Sequence, residues 1–131
     1  KGVRYVNDSK GTNPDAAIKA IEAMKENIIL IAGGYDKNSE YDEFTAAFEG
    51  RVKALLLLGT TAAKIKKAAE KAGFTEVKIL DDMEACVNEA YSIAEPGDVV
   101  LLSPACASWD MYKSFEHRGR HFKECVSRLE R

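Results

Sequence analysis

The sequence predicts an α/β domain of three layers: a mostly parallel sheet with helices on both faces. Three observations point there. Five short, largely apolar runs recur along the chain, and the continuous ones have the pattern of strands buried on both sides. Segments with helical periodicity and recognisable ends lie between them. The 131 residues are 46% hydrophobic and 31% charged, the size and balance of one globular domain. Strand–helix alternation with right-handed crossovers makes such a domain Rossmann-like.

The elements follow in order. Val3–Val6 (VRYV) reads as the first strand. Asn13 then offers an N-cap and Pro14 suits the first helical position, while Ala17, Ile18, Ile21 and Met24 form one apolar face. Ile28–Ala32 (IILIA) reads as the second strand, and Ser39 is placed to cap a helix from Glu40 to about Phe48. Lys53–Leu58 (KALLLL) is the third strand. The helix in TTAAKIKKAAEKAG opens on threonines and stops at Gly73 as its C′ residue. Val77–Leu80 (VKIL) is the fourth strand, and Asp81 with Glu84 has the spacing of a capping box before MEACVNEAYSIA. Asp98–Leu102 (DVVLL) is the last strand. Phe122, Cys125, Val126 and Leu129 then repeat at helical spacing. No repeat, low-complexity stretch or linker interrupts this pattern.

Net charge is −2 with both signs interspersed, so nothing suggests a nucleic-acid partner. Apolar runs such as Ala54–Leu58 are far too short for a membrane-spanning helix, and the first residues lack the apolar segment of a signal peptide. Cys86, Cys106 and Cys125 are odd in number and form no CxxC, which favours a reducing cytoplasm. The chain enters a strand pattern almost directly after Lys1 and Gly2, as expected of a piece cut from a longer protein.

In parallel sheets ligands bind beyond the carboxyl ends of the strands, so the loops there carry the candidate chemistry. In NDSKGTN, Lys10 and the following helix N-terminus suit an anion, and Asp8 can accept from a ribose hydroxyl; the same residues also suit an Asx-type turn feeding a cap. In GGYDK the glycines allow close backbone approach, and Lys37 either reaches an anion or is simply solvated. GTTAAK reads as a glycine turn with a threonine cap. Neither GxGxxG nor GxxxxGK[ST] occurs. SPACAS leaves the last strand with almost no side chain. Cys106 invites a nucleophile reading, but its small apolar neighbours favour a packed thiol. Ser108 can cap the next helix or donate to an anion. His117, His121 and Cys125 share a stripe at i, i+4 and i+8; Gly119 interrupts it, and three ligands on one straight helix strain a tetrahedral site, so no metal is expected. Trp109, Met111, Tyr112 and Phe115 are expected in the core or as the wall of a pocket, the core being favoured.

Taken together, NDSKGTNPDAA, GGYDK and LLSPACASWDMYKSFEHRG, in this order, resemble the C-terminal domain of the Mur ligases, ATP-dependent amino-acid ligases of peptidoglycan synthesis. The resemblance runs from Gly2 to near the end of the chain. Asp8-Ser9-Lys10 is similar to the branch that adds D-glutamate. Other branches look like Asp-Tyr-Ala-His or Asp-Ser-Tyr-Asn there, and the Asp-Asn-Pro-Arg motif of the diamino-acid-adding branch does not occur. Many members have Ala where Gly11 stands and Gly where Asn38 stands; Asn tolerates positive φ better than most residues.

The resemblance implies that residues 1–131 are the amino-acid-binding domain of a bacterial cytoplasmic ligase whose N-terminal UDP-binding and central ATPase domains lie outside this chain. It implies activation of UDP-N-acetylmuramoyl-L-alanine by ATP as an acyl phosphate, followed by attack of the D-glutamate amine. ATP and Mg2+ would be held mainly outside this chain. By motif position Thr12, Lys37, Ser108 and the backbone at Phe115 look like D-glutamate contacts. Asp8 and Lys10 look like nucleotide-side residues, with Lys10 catalytic. The small residues of SPACAS would then let a zwitterionic amino acid lie close to the backbone. Lacking a phosphate cradle, the domain alone is expected to be inactive. Two rival readings are a non-catalytic α/β module for a small anion and the related domain of folylpolyglutamate synthetase, which Lys10 and SPACAS do not resemble. An ATPase domain with a GKT-type loop encoded just before Lys1 would separate the ligase from the binding module.

Overall fold

A computed structural model describes residues 2–35 and 38–129. Ten elements alternate as expected: β1 (Arg4–Asn7), α1 (Pro14–Met24), β2 (Ile28–Ala32), α2 (Asp42–Ala46), β3 (Val52–Leu57), α3 (Ala62–Lys71), β4 (Val77–Ile79), α4 (Met83–Ile93), β5 (Val99–Leu102) and α5 (Phe115–Ser127). The five strands form one sheet in the order β1-β5-β2-β3-β4, and every pairing is parallel.

The continuous apolar strands are continuous because both faces are covered. Leu30, Leu55, Leu57 and Leu101 meet Ile21 of α1, Phe44 of α2 and Ile65 of α3. Their neighbours Ile31, Leu56, Val100 and Leu102 point the other way, onto Met83 and Val87 of α4 and Phe122 and Cys125 of α5. Alternation of side chains along a strand thus splits one apolar run between two cores. Each fully buried Leu, Ile or Phe contributes on the order of 1.5–3 kcal/mol.

Helix ends follow local chemistry, with three shifts from expectation. Asn13 caps α1 by accepting from the Ala16 amide at 2.9 Å, with Pro14 first in the helix. Gly73 sits at φ +87°, the left-handed conformation of a C′ residue. Around α4 the cap is Asp82, not Asp81: its carboxylate accepts from the Ala85 amide at 2.8 Å. The helix expected from Glu40 to Phe48 is shorter, and Tyr41 stands at its N-cap with no side-chain cap bond, so Ser39 does not cap it. Burial of Tyr41, Phe44 and Phe48 in the core overrides the local capping preference there. Thr61 precedes α3 but its hydroxyl turns inward, away from the helix amides. None of the helices among the described residues is long and apolar enough to cross a membrane.

Candidate functional site

Asn7 of β1 pairs with Leu102 of β5, and Ile31 of β2 pairs with the same Leu102, so three strands end side by side. The loops after them meet as a result. Beyond β1 the chain turns tightly: Gly11 N donates to Asp8 O at 2.8 Å and Thr12 N to Lys10 O at 2.8 Å. This loop is joined to the one after β5 at three points. Asp8 N donates to Leu102 O at 2.7 Å, and Ala105 N donates to Gly11 O at 2.9 Å. Ser103 Oγ donates to the Asp8 carboxylate at 2.7 Å. A Cβ on residue 11 would lie 2.7 Å from both Asp8 Oδ2 and Ser103 Oγ, so this bond has its room because Gly11 is glycine. Asp8 and Thr12 end half-buried, and Lys10 is exposed.

The loop after β2 crosses the end of β3. Gly33 has φ +117°, and a Cβ there would stand 1.9 Å from Leu58 O. Gly34 N donates to Thr61 Oγ1 at 3.1 Å, and Gly34 O accepts from Thr60 Oγ1 at 3.0 Å and Thr61 N at 3.1 Å. The GTTAAK segment is therefore structural as expected, although its threonines grip the neighbouring loop and do not cap a helix. Tyr35 forms a bridge with Ala107 of the last loop. Asn38 adopts φ +63°, the region its side chain tolerates. Lys37 lies outside the described residues.

SPACAS is filled by protein. Ser103 through Ser108 are all buried, and Ala105 holds φ +62°, a strained state for a residue with a Cβ. Cys106 Sγ lies 3.2 Å from both Tyr41 OH and Thr61 Oγ1, a packed thiol as its neighbours suggested. Small side chains are used here so that three loops can touch. Ser108 does not cap a helix. Its carbonyl accepts from Met111 N at 3.1 Å and Tyr112 N at 2.8 Å, closing a turn, and α5 starts later under Ser114, which accepts from His117 N at 3.1 Å. The turn carries its aromatics outward, contrary to the core expectation. Trp109 is 64% exposed, with its ring centroid 5.4 Å from that of Tyr35, and Met111 is also exposed. Tyr112 and Phe115 are half-buried.

His121 Nδ1 lies 2.6 Å from Tyr112 OH, and burial pushes the Tyr112 phenol up to about 12, so it remains protonated at neutral pH. Cys125 faces α4 in the second core. No three His, Cys, Asp or Glu side chains gather as metal ligands among the described residues.

Arg118 went unnoticed in the sequence. It is 3% exposed, and its guanidinium reaches three oxygens: Nε to Ser9 Oγ at 2.9 Å, Nη2 to Ser9 O at 2.7 Å and Nη1 to Cys106 O at 3.0 Å. Ser9 Oγ in turn donates a hydrogen bond to Phe115 O at 2.6 Å. One signal was present: Arg118, Phe122 and Cys125 share the i, i+4, i+7 stripe, so the arginine stands on the buried face of its helix.

Lys10, Arg120 and Lys123 line a cavity of about 330 Å3 beside α5, together with Asn7, Ser9, Phe115 and one carboxylate, Glu116, so that the rim carries three cations against one anion. Three cations at one rim fit a phosphate chain in charge, and Asp8, already oriented by Ser103, offers a carboxylate to a sugar hydroxyl.

Burial leaves the cysteines unreactive. It pushes Cys86 up to about 12 and raises Cys125, and Cys106 is enclosed. We expect iodoacetamide to leave all three unmodified in the folded full-length protein while labelling them after unfolding, as intact mass or peptide mapping reports. Rapid labelling of Cys106 in the folded protein would contradict the packed thiol.

Comparison with known proteins agrees with this architecture. Residues 1–106 match the family described as Mur ligase, glutamate ligase domain. The UDP-N-acetylmuramoylalanine--D-glutamate ligase of Caldanaerobacter subterraneus is 57% identical over 133 residues, covering 100% of this chain and 30% of that protein. The ligases of the same name from Thermoanaerobacter sp. and Clostridioides difficile are 59% and 56% identical, with 99% and 97% of this chain covered and 29% and 28% of theirs. The chain thus spans about 30% of the length of the curated relatives it matches. Among solved structures, the UDP-N-acetylmuramate-alanine ligase of Thermotoga maritima superposes with TM-score 0.56 at 16% identity, covering 88% of this chain and 25% of that one. A Mycobacterium tuberculosis folylpolyglutamate synthase complexed with ADP superposes with TM-score 0.61 at 13% identity, covering 87% and 28%. At such identities the likeness is one of fold.

Proposed function

The chain belongs to the Mur ligase family, and on that premise we propose that it is the C-terminal, amino-acid-binding domain (residues 1–131) of the enzyme that joins D-glutamate to UDP-N-acetylmuramoyl-L-alanine. The remaining length of the relatives would correspond to the central ATPase and N-terminal UDP-binding domains. The observation that carries the reading is the hydrogen-bonded union of the first and last loops. It sets Asp8, Lys10 and Thr12 against the loop that leads to Ser108 and Phe115.

In this reading ATP supplies the phosphoryl group that activates the substrate carboxylate. Lys10 offers positive charge at the transfer point, where charge matters most in the transition state. Asp8 accepts from the ribose. Thr12, Lys37, Ser108 and the backbone at Phe115 hold the carboxylates and amine of D-glutamate so that the amine faces the activated carbon. Mg2+ accompanies ATP, bound mainly by the other domains. Three buried thiols suit a reducing bacterial cytoplasm.

The test uses the full-length protein with ATP, Mg2+, D-glutamate and UDP-N-acetylmuramoyl-L-alanine. D-Glutamate-dependent phosphate release and a product of the summed mass are expected. D-Glutamate binding without phosphate release would support the non-catalytic module instead, and neither would reject both. Each charge-assisted bond is worth roughly 1.5–3 kcal/mol, so Lys37→Ala is expected to raise the D-glutamate KM about 10- to 100-fold and the ATP KM far less. Ser108→Ala should act in the same direction more weakly. An unchanged D-glutamate KM in Lys37→Ala would reject the site even if the product forms.

A further inference from the structure

The buried guanidinium of Arg118 has a place in the fold that stability alone does not explain. Its three bonded oxygens are neutral: the Ser9 hydroxyl, the Ser9 carbonyl and the Cys106 carbonyl. Enclosing a cation whose bonded acceptors are all neutral is costly, and the nearby Asp110 carboxylate offsets that cost only in part. Burial lowers the Arg118 pKa to about 10, yet it stays protonated at neutral pH and donates from all three nitrogens.

What the guanidinium joins is informative. Ser9 lies between Asp8 and Lys10 in the first loop. Cys106 lies two residues before Ser108 in the last loop. Arg118 itself is in the first turn of α5, whose opening carbonyl at Phe115 is tied to the Ser9 hydroxyl at 2.6 Å. From the second loop, a Cβ on Gly34 would lie 3.3 Å from Nη1, so that loop packs against the same group. One rigid planar fork therefore touches three loops. A lysine would keep the charge but could not span the same acceptors.

We propose that Arg118 is a positioning residue that fixes the loop carrying Lys10 against the loop carrying Ser108, so that the nucleotide-side and amino-acid-side groups meet their substrates in one geometry; this rests on the function proposed above. Arg118 touches neither substrate. It acts through Ser9 and Cys106, and misplacement of a reacting group by about 1 Å can cost on the order of 100-fold in rate.

The experiment compares wild type, Arg118→Lys, Lys10→Ala and the double variant as full-length proteins. Arg118→Lys is expected to lose about 10-fold or more in kcat at saturating substrates while remaining folded. Lys10→Ala should then cost clearly less in the Arg118→Lys background than in wild type, because the lysine is already misplaced. If the double variant is slower by the product of the two single factors, or if folded Arg118→Lys keeps kcat within about twofold, the inference is overturned. Should Arg118→Lys fail to fold, Ser9→Ala takes its place, removing the Nε bond and the tie to Phe115 with one atom lost; the same non-additivity with Lys10→Ala is expected, and additivity overturns it. Hydrogen exchange at Asp8 and Ala105, whose amides tie the first loop to the end of β5 and to the loop beyond it, should rise in the variant while the amides of β2 keep their protection. Wild type without D-glutamate-dependent phosphate release would strike down the proposed function. The exchange arm decides separately: unchanged protection of those two amides overturns the role of Arg118.

Discussion

Lys10→Ala in the full-length protein is expected to lower kcat by about 100- to 1,000-fold with a much smaller change in either KM. That is the scale for removing one preorganised charge or donor aimed at the transition state. The expectation follows from where Lys10 stands. Its backbone is held on both sides, by the Gly11–Asp8 and Thr12–Lys10 turn bonds, while its side chain is exposed at the rim it shares with Arg120 and Lys123. A rigid backbone under a free-reaching cation is the arrangement that loses rate when the cation is removed. Two remaining cations would still attract the nucleotide, which is why ATP binding should persist. Steady-state kinetics with each substrate varied in turn makes the distinction. A large rise in the ATP KM with kcat preserved would make Lys10 a binding group only, and no effect would remove it from the site.

Gly33→Ala is expected to destabilise this domain by roughly 2–5 kcal/mol, combining backbone strain with an unavoidable clash. At φ +117° the position suits glycine, and the added methyl would sit 1.9 Å from Leu58 O, a backbone atom that cannot rotate away. Gly73→Ala is the control. Its φ is +87°, but a Cβ there meets nothing within 4 Å, so only conformational strain of about 1 kcal/mol applies. Denaturant midpoints of the two variants, read from the transition of this domain within the full-length protein, isolate the clash. Equal midpoints would mean that the chain after β2 has room to move off β3. The functional consequence should follow the structural one, since displacing Gly33 also moves Gly34 away from Thr61, Ala107 and Arg118.

How much of this was legible beforehand depends on the range of the forces involved. The central strands β2, β3 and β5 came through because a strand covered on both faces needs a long apolar run, a local signal, whereas the edge strands β1 and β4 are partly exposed and carry Arg4 and Lys78. Asn13-Pro14 marked its helix start because the capping bond spans three residues. Errors began where a distant contact decided. Tyr41, Phe44 and Phe48 pack into the core and begin their helix later than Ser39 would have it. Thr61 forgoes its cap to hold Gly34, 27 residues away. Asp82 displaces Asp81 by one position, a shift no spacing rule resolves because both are aspartates.

The candidate site divides in the same way. The sequence by itself determined that the domain is a parallel α/β fold and that its motifs are those of the Mur ligases, and it singled out the loops after β1, β2 and β5 as the candidates for its chemistry. Only the tertiary structure decided what the small residues of SPACAS are for and where the aromatics of the following turn go. Trp109 looked like core by hydrophobicity, yet the turn closed on the Ser108 carbonyl points it outward onto Tyr35. Arg118 went unnoticed there, yet it lies buried with bonds to Ser9, 109 residues away, and to Cys106. The reason is physical: patterning reports the average environment of a residue along its own element. Bonds across more than a hundred residues exist only once the sheet has brought the ends of β1 and β5 into register.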